Sequence, residues 1–205
     1  MRPHPGLHLL QSSLFNRLRI CGCLFASLLI LFSLTAAPDT LLTRTTSKAR
    51  ASSRQSPQTI NWAAQGISWS VPADWTQMSM SDTFLHWKSP GAGDAAQLLV
   101  NISSMGPTFP AETSLKAMYD AAALRQKNNE LSDLKWLELD GLKGVQYREN
   151  PPQNPEDVRR LQWQGYRKHG GQVKLVNIII STQGKTFDQH QATMYTVLNS
   201  TKFPK

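Results

Sequence analysis

The sequence predicts an α+β domain, a mostly antiparallel sheet flanked by helices on both faces (an α/β/α sandwich), preceded by an N-terminal apolar segment. Three observations carry that reading. Apolar residues alternate with period two in several segments between positions 67 and 182, separated by turn residues. Two stretches, near 113–128 and 187–198, switch to helical spacing. Residues 173–180 (VKLVNIII) are apolar on both faces toward their end, as a central strand covered from both sides requires.

The first 19 residues are basic, and residues 20–34 (ICGCLFASLLILFSL) form an uncharged apolar run just after Arg17 and Arg19. Two readings fit. Thr35-Ala36-Ala37 supplies the small residues of a signal-peptide exit, but Pro38 and Leu34 make a poor cleavage context. As an uncleaved anchor, residues 20–37 sit at the short end of what spans about 30 Å of hydrocarbon. The balance favours the anchor, with the domain outside the cytoplasm in a periplasmic or equivalent compartment. If the leader is cleaved, the domain is secreted to the same place. Arg44, Lys48, Arg50 and Arg54 follow the segment and rival the basic residues before it, which weakens the orientation signal. Residues 38–59 are rich in Ser, Thr, Arg, Ala and Gln and read as a flexible linker. The globular domain is expected over residues 60–205.

The formal net charge is +8, but seven cations and only Asp39 fall in residues 1–59. The domain is therefore left with a charge of about +2, too small for a phosphate-binding face, which argues against a nucleic-acid partner. Both cysteines, Cys21 and Cys23, lie in the apolar run, so the domain holds neither a disulfide nor a thiolate-bound zinc.

Within the domain, Ile67, Trp69 and Val71 share one face of a strand ended by Pro72. Residues 83–88 and 97–103 form the next two strands, joined by Pro90-Gly91-Ala92-Gly93-Asp94. A helix over 113–128 presents Leu115, Met118, Tyr119 and Ala122 to the core. Asp140-Gly141 is a two-residue hairpin turn that opposes Leu139 to Leu142, Glu138 to Lys143, Trp136 to Val145 and Leu134 to Tyr147. A second long hairpin pairs residues 158–168 with 171–182. A turn at His169-Gly170 is preferred there, because one at Gly170-Gly171 opposes Arg167 to Lys174. A helix over 187–198 follows, with Phe187, Met194, Tyr195 and Leu198 on one face.

Gly66-x-x-x-x-Val71-Pro72-x-x-Trp75, then Leu139-Asp140-Gly141-Leu142, then FDQHQATMYTVLNSTKF from Phe187 to Phe203, follow one another in this order. In order and spacing they resemble the PsbP-like superfamily, which includes PsbP, the DcrB lipoproteins and the Ran-binding Mog proteins. The resemblance covers residues 60–205. It implies an antiparallel sheet flanked by helices, working as a binding or assembly module without catalysis. No functional residue carries over from it.

The residues themselves carry no catalytic or metal-binding pattern. His86, His169 and His190 show no ligand spacing, no G-x-S-x-G elbow is present, and Gly91-Ala92-Gly93 joins two strands rather than opening a helix. No cofactor is expected. Trp69, Trp136 and Trp163 read as core, while Trp62 and Trp87 are harder to place.

The best candidate contact surface is the proline-stiffened stretch of Asn150, Pro151, Pro152 and Pro155, with Arg159 and Arg160 beside it. The function expected is a membrane-tethered, non-catalytic binding or assembly-accessory domain that contacts an envelope or membrane protein. The alternative is a small-ligand carrier or sensor, using Asn177 or Gln164 in a cleft between sheet and helix.

Overall fold

In the computed structural model, residues 56–203 are described. The basic region 1–19, the apolar segment 20–37 and the linker up to residue 55 lie outside them. The chain runs through β1 (Gln58–Trp62), β2 (Ile67–Val71), β3 (Thr76–Met80), β4 (Phe84–Lys88), β5 (Gln97–Ser104) and α1 (Ala111–Lys127). It continues through β6 (Leu131–Leu139), β7 (Leu142–Glu149), β8 (Val158–His169), β9 (Gln172–Gln183) and α2 (Phe187–Asn199). Strands β3 to β9 make one seven-stranded antiparallel sheet in the order β3-β4-β5-β9-β8-β7-β6. A separate hairpin, β1-β2, lies beside it.

The two faces of the sheet bury separate cores. One is closed by α2 and the β1-β2 hairpin, around Trp62, Trp69, Leu98, Trp163, Ile178, Ile180, Phe187 and Met194. The other lies under α1, around Leu115, Ala122, Leu131, Val145, Tyr147, Tyr166 and Val173. Strand β9 supplies alternate residues to both, which accounts for its two-faced apolar sequence. The expected helix on each face is therefore found, with a hairpin sharing the cover on one side.

Two strands escape the sequence reading. β1 takes in Gln58 and Thr59, residues assigned to the linker. β3 is exposed at all five positions, so it carries no apolar alternation to read.

The Asp140-Gly141 turn has both residues in the left-handed region, at φ 48° and 81°, as a type I′ hairpin requires. The pairs Leu139–Leu142, Glu138–Lys143 and Trp136–Val145 form as expected. The pairing of Leu134 with Tyr147 does not. A bulge between Ser132 and Lys135, with Asp133 at φ 53°, inserts extra chain and shifts the register.

The β8-β9 hairpin also departs from expectation. It turns at Gly170-Gly171, with His169 opposite Gln172 and Arg167 opposite Lys174. The like charges are tolerated because each has its own distant partner. Arg167 donates to the Gly66 carbonyl at 3.0 Å, and Lys174 to Gln65 Oε1 at 3.0 Å. Trp163 accordingly stands opposite Ile178.

Trp163 is completely buried, and its indole lies over two glycines. A Cβ on Gly144 would come within 2.3 Å of the ring, and one on Gly165 within 2.4 Å. These glycines face each other across β7 and β8 and together form the slot that holds the ring flat. The indole N–H then reaches the Leu137 carbonyl on β6 at 3.0 Å.

Trp136, expected in the core, is instead 38% exposed. It stacks on Tyr119 of α1 at 4.5 Å and 7°, with the Lys143 ammonium 4.5 Å from its ring. Trp62 is buried, with its N–H donated to the Ser81 carbonyl at 2.9 Å.

Candidate protein-contact surface

Residues 150–157 are anchored rather than free. The Asn150 amide donates to the Asn129 carbonyl at 2.8 Å, and its backbone N–H to the Glu130 carbonyl at 2.9 Å. Lys185 N–H donates to the Pro155 carbonyl and Gly184 N–H to the Asp157 carbonyl, each at 2.9 Å. Pro152 packs so closely on Gly184 that a Cβ there would lie 2.7 Å from its ring. Pro151 and Pro155 are exposed. Arg160 is partly exposed, with its guanidinium 3.1 Å from a carboxylate oxygen of Glu149.

Arg159 takes another course. It is only 5% exposed. Its Nε–H donates to the Glu149 carbonyl at 2.9 Å, and its guanidinium lies 4.3 Å from the centre of the Phe187 ring. It also meets Asp188 at 3.2 Å, and burial holds its pKa below the usual arginine value. Its charge is thus committed to joining β8 to α2.

A second surface was not read from the sequence. α1 packs on β6, β7 and β8, and leaves the same face of β4, β5 and the later half of β9 partly open. Leu99 and Ile179 on this face are partly exposed, whereas Leu98, Val100, Ile178 and Ile180, pointing the other way, are fully buried. The register sets His86, Leu99, Ile179 and Gln162 in one row across four strands. Phe84, Asn101, Asn177 and Gln164 make the next row. His86 and Gln97 lie 3.0 Å apart, and the Gln162 amide donates to Asn177 Oδ1 at 2.7 Å. Aliphatic contact area bordered by neutral donors and acceptors suits docking of a protein surface.

Asn177 and Gln164 therefore line an open sheet face, not a cleft between sheet and helix. A groove of about 600 Å³ lies elsewhere, between Ser56, Pro57, Val71 and Pro72 on one side and Thr193 and Thr196 of α2 on the other. Among the described residues, no three His, Cys, Asp or Glu side chains converge as metal ligands would. His169 Nδ1 lies 3.0 Å from the Arg167 guanidinium. No helix among the described residues is long and apolar enough to cross a membrane.

The open face left one trace in the sequence. Leu98, Leu99 and Val100 are apolar on both faces, and the outward positions of β9 hold Asn177 beside Ile179, an uneven mix that a helix-covered face would not need. What decides exposure is the reach of α1, which no local pattern encodes.

No protein-family model matches this chain, and no curated protein does. Solved structures do match. LpqN of Mycobacterium tuberculosis, a protein involved in cell envelope biogenesis, superposes with a TM-score of 0.54 at 14% identity, over 72% of this chain and 91% of LpqN. Cyanobacterial PsbP from Synechocystis sp. PCC 6803 matches at 0.43 and 18% identity, over 73% of this chain and 93% of its own. The Ran-binding protein Mog1p of Saccharomyces cerevisiae matches at 0.38 and 9% identity, over 72% and 95%. The expected antiparallel sheet with a helix on each face is found, in a fold shared with LpqN. At these identities the likeness concerns fold alone.

Proposed function

We propose that this chain is a non-catalytic binding domain of the cell envelope, held at a membrane by residues 20–37 and acting through protein contacts. The observation that carries the reading is the half-open sheet face, where Leu99 and Ile179 present aliphatic surface amid the neutral amides of Gln162, Asn177 and Gln97. That composition recognises a surface and holds no acid–base pair or nucleophile to transform one. The envelope setting is supported by the fold shared with LpqN, whose role lies in envelope biogenesis. The anchored loop 150–157, already ordered by its prolines and hydrogen bonds, loses little entropy on binding and forms a second contact region.

The test is photo-crosslinking in cells, with a reactive residue placed at Leu99, Ile179 or Gln153 of the full-length chain and the adducts identified by mass spectrometry. One envelope protein crosslinked from Leu99 and Ile179, and lost when Leu99→Lys is introduced, is the expected result. Crosslinks no richer than those of an anchor-only control, from all three positions, would sink the reading. Deleting residues 20–37 is expected to release the protein from the membrane fraction.

A further inference from the structure

Arg167 is a half-buried cation with which no carboxylate pairs. Its guanidinium donates to the Gly66 carbonyl and to His169 Nδ1, each at 3.0 Å, and lies 5.3 Å from the centre of the Phe203 ring. All three partners are uncharged, since an imidazole nitrogen that accepts from a guanidinium carries no proton. Among the described residues Arg167 forms no ion pair. Burial lowers its pKa, and no neighbouring carboxylate offsets that effect. Its cross-strand neighbour Lys174 adds a second charge held by a neutral group, the Gln65 amide. A partly buried charge without a counter-ion is costly, and a bound anion relieves that cost.

Arg167 borders a hollow of about 440 Å³, whose walls include Gly66, Asp140, Gly141, Leu142 and Phe203. Leu142 and Phe203, which pack against the core on the α2 side of the sheet, supply apolar wall. Asp140 is the one carboxylate in the lining, and both its oxygens are engaged. One accepts from the Lys202 ammonium at 3.2 Å, the other from the Phe203 backbone N–H at 2.7 Å. A planar guanidinium beside apolar walls matches a planar carboxylate on an apolar body. Asp140 in the same lining works against a doubly charged phosphate, which a single guanidinium does not neutralise.

We propose that this hollow binds a small organic acid, its carboxylate on Arg167 and its apolar body against Leu142 and Phe203. The ligand supplies the negative charge that the chain leaves out beside Arg167 and Lys174. Its contacts come from β8, from the β6-β7 turn and from the segment after α2, so only the folded domain assembles the site. The hollow lies on the opposite face of the sheet from Leu99 and Ile179, and the proposal therefore stands or falls apart from the protein-contact reading.

The experiment uses the full-length chain in phosphatidylcholine nanodiscs, titrated with phenylacetate, phenylacetamide and inorganic phosphate and followed by amide NMR shifts. Phenylacetate should bind saturably, with a Kd on the order of a few millimolar or tighter, as about ten heavy atoms allow. Its shifts should concentrate at Gly66, Gly141, Leu142 and Phe203. Phenylacetamide, the same body without the charge, should bind about ten-fold more weakly, and Arg167→Gln should lose a similar factor. Phosphate should bind more weakly than phenylacetate. If the variant does not fold, the three ligands on the unaltered protein decide the matter. Phosphatidylserine in the discs, which offers a lipid carboxylate, should leave these amides unshifted. The proposal is overturned by no saturation at tens of millimolar, by equal binding of the amide, or by phosphate binding as tightly as phenylacetate. Undiminished binding by a folded Arg167→Gln variant, shifts centred elsewhere, or the same shifts from phosphatidylserine alone would also overturn it.

Discussion

The phenol of Tyr195, on α2, donates a hydrogen bond to the carboxylate of Asp133, in the bulge of β6. The buried Gln146 amide donates to the same carboxylate at 3.1 Å and to the Asp133 backbone carbonyl at 3.0 Å, and the Lys135 ammonium lies 3.4 Å away. A left-handed aspartate on an edge strand is thus tied to a helix and to the neighbouring strand. Burial pushes the Asp133 carboxyl up, but the bonds from Tyr195, Gln146 and Lys135 outweigh it and hold its pKa below the ordinary value. The Tyr195 phenol is pushed up to about 12 by burial and by that carboxylate.

Tyr195→Phe should therefore destabilise the fold by about 1–2 kcal/mol at neutral pH, at the low end for a charged hydrogen bond because Asp133 is partly exposed. Since the folded pKa of Asp133 is depressed, its contribution is present above the unfolded value, near 3.9, and is lost as pH falls through the folded one. Urea denaturation from pH 6 to pH 2.5 should show a shallower acid loss in the Phe variant. An identical slope in both proteins would refute the assignment.

Gly144→Ala places a methyl where the Trp163 ring lies. The ring has no free volume to retreat into, so the change should cost about 1–3 kcal/mol. The tryptophan emission should shift to the red as the Leu137 hydrogen bond loosens. Unchanged stability and emission would mean that the ring is not held in a glycine slot.

Arg159 and Asp188 form an asymmetric pair, with side chains 6% and 82% exposed. Arg159→Ala removes the bond to Glu149 and the packing on Phe187, and should cost about 2–3 kcal/mol. Asp188→Asn should change stability by no more than about 0.5 kcal/mol, as an exposed partner. Thermal melts of the two variants check the difference. Equal losses would place the energy in the ion pair itself.

Burial first, then Arg167 and Lys174, lower the His169 pKa. The folded protein therefore resists protonating this imidazole, and its stabilising effect, complete above the unfolded value near 6.5, is lost as pH falls through the lower folded one. Imidazole NMR titration should show His169 titrating below the usual value near 6.5, and His169→Gln should flatten the stability profile between pH 7 and pH 5. A His169 midpoint above 6.5 would contradict the geometry.

The fold was most legible where its causes are local. Asp140-Gly141 carries the left-handed turn in its own chemistry, and the alternation of Ile67, Trp69 and Val71 names their buried face. The helix near 113–128 and the doubly buried β9 were readable for the same reason. Reading failed where a distant partner decides. Arg167 opposite Lys174 looked forbidden until Gly66 and Gln65, about a hundred positions earlier, took up the two cations. The Asp133 bulge, held by Tyr195 and Gln146, moved Leu134 out of the expected pair.

The candidate site divides in the same way. Prolines located the stiff loop at 150–157, but the inward turn of Arg159 depends on Phe187 and Asp188 of α2. The open sheet face depends on where α1 stops. The sequence by itself determined the two helices, seven of the nine strands among the described residues and the main hairpin turn, because periodicity and turn chemistry act between near neighbours. Only the tertiary structure decided which cations are buried, which register slips and which surface stays uncovered. Those outcomes depend on contacts between residues far apart in the chain, whose energies no local window contains.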